Sequence, residues 1–125
     1  MSESNEHSTI EAFLRERTEV LEPLFEQLNL RLLGYGYRVV HGDSFHMELD
    51  FELAAIDGVS LNVPEDRCGV LVKANLYDAS GNMLCTSAEA VSVDDFAGYD
   101  TGSITFYTDG IALAADKARI FAVKW

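Results

Sequence analysis

Between Phe45 and Ile56 the chain alternates without a break, with Phe45, Met47, Leu49, Phe51, Leu53 and Ala55 on one parity and His46, Glu48, Asp50, Glu52, Ala54 and Ile56 on the other. Successive strand side chains point to opposite faces, so this stretch predicts a strand with one dry and one wet face in an antiparallel sheet. The period of two begins earlier, at Leu30. Leu33, Tyr35, Tyr37 and Val39 are expected to face one side, and Gly34 and Gly36 on the other predict a bulge or a close approach by a helix. His41-Gly42-Asp43-Ser44 reads as the turn joining the two strands into a hairpin.

A second hairpin runs from Cys68 to Tyr77 and from Met83 to Val93, with Gly81 supplying the positive φ of the turn over residues 78–82. Setting Tyr77 opposite Met83 pairs Leu76 with Leu84, Ala74 with Thr86, Val72 with Ala88 and Val70 with Ala90 as the dry face. The wetter face then sets Lys73 opposite Ser87 and Leu71 opposite Glu89. Cys68 falls opposite Ser92 and Cys85 opposite Asn75, beyond the ~7 Å Cα reach of a disulfide. Residues 57–66, containing Gly58 and Pro64, form a connection long enough to cross between sheets. Asp94 to Gly102 is expected as a polar loop, Ser103 to Thr108 as a short strand with Ile104 and Phe106 inward, and Ile111 to Asp116 as one helical turn. Lys117 to Trp125 is apolar on both parities and is expected to be a central or covered strand.

Ahead of the strands the period is that of a helix. Residues 1–7 are polar and expected to be disordered, and Ser8-Thr9-Ile10-Glu11 fits a capping box. Ile10, Phe13, Leu14, Val20, Leu21, Leu24, Phe25 and Leu28 line one face of an amphipathic helix over 8–29. Pro23 inside that pattern predicts a kink or break near Val20. Arg17 interrupts the heptad seam the same residues could form, so docking on the chain's own sheet is the expected use of this face. The fold expected is all-β: an immunoglobulin-like antiparallel β-sandwich of six to seven strands over residues 30–125, with an N-terminal amphipathic α-helix.

Composition narrows the partners. Asp and Glu number 21 against nine Lys and Arg, giving a formal charge of -12. Such a field repels phosphate backbones and anionic lipid, so neither nucleic acid nor a membrane surface is an expected partner, while cations and basic proteins remain open. No apolar run approaches the ~18 residues of a spanning helix, and the start of the chain lacks a basic n-region and an apolar h-region. The chain as written is expected in the cytoplasm, where two unpaired cysteines also fit.

Candidate chemistry is sparse. His41, Asp43 and His46 flank one turn and could hold a divalent metal, although their spacing matches no structural zinc pattern. His46, Glu48, Asp50 and Glu52 share a wet strand face that lacks the burial acid-base pairs need. Asp78, Ser80 and Asn82 alternate like calcium ligands, and Asp94, Asp95 and Asp100 occupy another loop, but no EF-hand arrangement accompanies either. With no nucleophile elbow and no phosphate-binding loop, neither an enzyme nor a cofactor is expected.

Leu76-Tyr77-Asp78 at a strand end, Ser80-Gly81-Asn82 in the turn, a second strand, a polar loop and two closing strands make an order that resembles the FxLYD-type β-sandwich modules of bacterial proteins. The resemblance covers about 60 residues from Cys68 onward, with Ala74 where those modules carry their naming phenylalanine. It implies a non-catalytic sandwich, with the N-terminal helix outside the pattern. The expected function is protein interaction or assembly, with a protein partner or a second copy of the chain. The alternative is weak binding of a small ligand or divalent cation at the loop ends, through Tyr77, Asp78, Asp94, Asp95, Phe96 and Tyr99.

Overall fold

The computed structural model describes residues 3–41, 45–106 and 111–125. Helix α1 covers Glu3–Glu16 and helix α2 covers Glu22–Glu26. The strands are β1 (Thr18–Val20), β2 (Leu30–His41), β3 (Phe45–Ala55), β4 (Gly69–Tyr77), β5 (Met83–Ser92), β6 (Tyr99–Phe106) and β7 (Lys117–Lys124), with one 3-10 turn over Ile111–Ala114. They form a β-sandwich of a four-stranded sheet, ordered β1-β7-β4-β5, and a three-stranded sheet, ordered β2-β3-β6. Seven strands divided four and three match the count of an immunoglobulin constant-type sandwich. Every pair is antiparallel except β1 with β7.

The parity of β3 holds from Met47 to Ala55: Met47, Leu49, Phe51, Leu53 and Ala55 are buried. Facing them are Val70, Val72, Ala74 and Leu76 of β4 and Ala118, Ile120 and Ala122 of β7. The expectation that the last strand is central is met, since β7 lies between β1 and β4. Ile104 and Phe106 point inward as expected, but β6 begins at Tyr99, inside the stretch read as a loop. Close approaches set the residue type at several glycines, Gly102 among them. A Cβ at Gly102 would lie 2.6 Å from the tip of the buried Phe51 ring, whereas Cβ positions at Gly34 and Gly36 meet nothing within 4 Å.

The expected helix over 8–29 is three elements. α1 starts at Glu3, inside the stretch expected to be disordered, so the capping box does not mark the helix start. After Glu16 the chain turns into β1, where Thr18 and Val20 are β-branched and the partner strand β7 offers a full ladder. Pro23 then sits in the first turn of α2, where its missing N–H is not needed. The Thr18 hydroxyl donates to the Leu14 carbonyl at 2.7 Å and lies 2.9 Å from the Tyr37 phenol. With the Thr18 hydrogen committed to Leu14, Tyr37 is the donor to Thr18. Burial pushes the Tyr37 phenol well above its ordinary pKa.

Two register expectations are corrected. A bulge between Leu32 and Gly34 turns Leu33 outward, to 51% exposure, so it does not share the face of Tyr35 and Tyr37. A second bulge follows Tyr77↔Met83, after which Leu76 pairs with Cys85, Ala74 with Ser87, Val72 with Glu89 and Val70 with Val91. Leu84 is the extra residue, and it reverses the parity expected for the rest of β5. Cys68 and Cys85 form no disulfide among the described residues.

Two measurements check this packing. Gly102→Ala should lower stability by about 1–3 kcal/mol because the Phe51 ring is held in the core, whereas Gly36→Ala should raise it by up to about 1 kcal/mol, both read from denaturant melts. Tyr37 stays protonated in the fold, so its contribution is complete below the unfolded-state pKa of about 10 and is lost as pH rises beyond it. Tyr37→Phe should cost about 0.5–1.5 kcal/mol at neutral pH and flatten the alkaline fall in stability.

Candidate functional site

Among the described residues, those singled out from the sequence do not converge. Of the metal trio, the Asp43 residue and the His41 side chain lie outside the described residues. His46 Nε2 lies 3.6 Å from Glu48 Oε1, and no group of three metal-ligating side chains occurs among the described residues. Asp78 is taken up by its own turn: Oδ1 accepts from the Ser80 and Asn82 backbone N–H groups, each at 2.9 Å. The Asn82 N–H leads in holding the Asp78 carboxyl below the usual range. Tyr77 packs its ring 5.4 Å from the Arg119 guanidinium carbon. Asp94 and Asp95 lie past the other end of β5, about 30 Å away at ~3.4 Å per residue. Phe96, expected as a loop-end contact, is a core residue at 7% exposure, while Tyr99 is 53% exposed on the far sheet. Tyr77 and Asp78 thus lie at one end of the β4–β5 hairpin, and Asp94 and Asp95 at the other.

The outer face of β2-β3-β6 is polar and internally paired. Arg38 bonds Glu48 and also Asp50, the latter through Nε at 3.1 Å, and Ser103 Oγ donates to Asp50 at 2.5 Å. The Arg38 hydrogen bond is the main reason the Asp50 carboxyl is held below its ordinary pKa. Tyr99 donates to Glu52 at 3.0 Å, which raises its phenol. Between these groups and Arg15 lies an open groove of about 710 Å³, floored by Gly34 and Gly36. Its carboxylates already have partners, so it reads as a solvated face with a shallow trough.

The four-stranded sheet presents a different surface. On its outer face Leu71 pairs with Ala90 and Val123, and Lys73 with Ala88 and Phe121, leaving half-buried apolar side chains toward solvent. Among the described residues, β5 bounds this face as an edge strand paired with β4 alone. Val93 N–H bonds the Cys68 carbonyl, which sets the alternation along the ladder: Val91, Glu89, Ser87 and Cys85 turn their backbone groups to β4. Thr86, Ala88 and Ala90 therefore turn theirs outward, and among the described residues no backbone group pairs with them.

The other edges are treated differently. Along β2, the Val39 N–H is taken by Glu11 Oε2 of α1 at 2.9 Å, and Tyr35 Oη donates to the Arg15 carbonyl at 3.3 Å. β1 has only three residues, and the Thr105 carbonyl of β6 accepts from Ser87 Oγ of β5 at 2.7 Å. Glu89 was expected on the wetter outer face opposite Leu71. It stands instead on the inner parity of β5 opposite Val72, and is exposed. The signal for this was one bulged residue, Leu84, in a run that reads equally well without it.

Asp78→Ala removes the acceptor that closes the β4–β5 turn. A carboxyl with a lowered folded-state pKa stabilises above its unfolded value near 4 and loses that contribution as pH falls. The difference in melting midpoint between wild type and Asp78→Ala should accordingly be largest at neutral pH and shrink below about pH 4. No described helix is long and apolar enough to cross a membrane. No family model, no curated protein and no solved structure matches the chain.

Proposed function

We propose that the chain is a non-catalytic β-sandwich module that binds protein by accepting an extended segment alongside β5. The observation that carries this reading is the row of outward N–H and C=O groups at Thr86, Ala88 and Ala90, unpaired among the described residues. Main-chain bonds to such an edge supply affinity, and side chains of alternate residues read the flanking surface. β5 is ten residues long and contains no Pro, Lys or Arg, the residue types that usually blunt an edge. The flanking outer face offers Leu71, paired opposite Ala90, to a partner side chain. The resemblance of residues 68–125 to FxLYD-type modules fits the same reading, with β4 and β5 as the hairpin. The cation-binding alternative has less support, because Asp78 already serves its own turn and lies far from Asp94 and Asp95.

A proline tests the edge directly. The Ala88 N–H faces away from β4, so Ala88→Pro removes no ladder bond and should leave the far-ultraviolet spectrum and cooperative melt in place. Ser87→Pro, whose N–H faces β4, should destabilise by about 3 kcal/mol or more. With a capped heptapeptide alternating Val and Ser as a neutral probe, amide shifts in a nitrogen-15 correlation spectrum should cluster at Thr86, Ala88 and Ala90 and vanish in Ala88→Pro. Shifts that survive that substitution, or that map to the opposite sheet, would reject strand addition.

A further inference from the structure

We infer that the segment β5 accepts is basic, and that Glu89 selects it over a second copy of this chain. The inference rests on the strand-addition reading and adds the partner's chemistry. The charges beside the open groups are all carboxylates: Glu89 on the strand, then Asp94 and Asp95 just past its end, all three exposed. None of the three carboxylates forms an ion pair among the described residues.

Two described cations lie on the β4 side of β5. Lys73 is paired opposite Ala88 from β4, and its ammonium lies 6.0 Å from the Phe121 ring centroid, turned toward β7 and away from the edge. Arg67 precedes Cys68, which meets Val93 from the β4 side. Among the described residues, an incoming strand thus meets carboxylates at the rim, and a formal charge of -12 extends the same field outward.

That charge also argues against self-pairing. A two-fold antiparallel pairing that uses all three open residues is centred on Ala88 and sets Thr86 against Ala90 of the second copy. Glu89 then lies diagonal to the same residue of that copy on one face, a like-charge neighbour at about 7–8 Å. An inward-parity charge on an edge strand is a known way to discourage such pairing. A strand with Lys or Arg at the facing position converts the same carboxylate into an attraction.

The test uses the full chain and three capped heptapeptides that alternate Val with Lys, with Ser or with Glu, titrated while following the Thr86, Ala88 and Ala90 amides. The Lys peptide should bind about tenfold more tightly than the Glu peptide, with the Ser peptide between, because several exposed pairs of modest strength act together. E89Q should narrow the Lys-to-Glu ratio by about threefold, and ionic strength near 1 M, with a Debye length of about 3 Å, should nearly abolish it. Equal binding of all three peptides at β5 overturns the charge selection and leaves strand addition standing. No shift at β5 with any peptide overturns both. A dimer by light scattering that Ala88→Pro dissociates overturns the basic partner in favour of a second copy.

Discussion

Two open sheets have four edges, and each edge presents a row of backbone N–H and C=O groups that needs a partner or water. Much of this chain outside the central strands serves that requirement. The N-terminal helix lies along β2 and lends it a carboxylate from Glu11, β1 is cut to three residues, and Ser87 reaches across the sandwich to a carbonyl of β6. Among the described residues, the backbone groups of Thr86, Ala88 and Ala90 on β5 stay unpaired, and the bulge at Leu84 determines which side chains that edge carries. Without that bulge, Ala88 and Ala90 would point into the sandwich and Glu89 outward.

Charge follows the same division. On the outer face of β2-β3-β6 the carboxylates Glu48, Asp50 and Glu52 are matched by Arg38, Ser103 and Tyr99, a closed set with little left to offer. Among the described residues, the carboxylates at the β5 rim form no ion pair. Two acidic regions of similar composition thus differ in what they can attract, and the difference lies in the hydrogen bonds around them.

How much of this was legible in the sequence depended on how many residues voted for each feature. The parity of β3 rests on eleven residues that agree, and burial follows it from Met47 to Ala55. The central position of β7 was readable because both of its parities are apolar. The helix over 8–29 was misjudged because Val20, Leu21, Leu24 and Phe25 keep helical spacing while Thr18 and Val20 gain a ladder with β7 that local propensity does not see. Leu33 and Leu84 were misplaced for one shared reason: a bulge inserts a residue where the apolar pattern continues plausibly in either register. The candidate edge was illegible for the same cause, since it depends on which residues of β5 face away from β4.

The parallel pairing of β1 with β7 bears on how the chain folds. Thr18 meets Ala118 across nearly the whole chain, whereas the β4–β5 hairpin closes through a turn of a few residues. The entropy of closing so long a loop places the first pairing late and the hairpin early. During synthesis, residues 18–20 leave the ribosome long before residues 117–124 exist to receive them. Until then β4 lacks its neighbour on the β7 side, so the four-stranded sheet can be completed only after β7 has emerged.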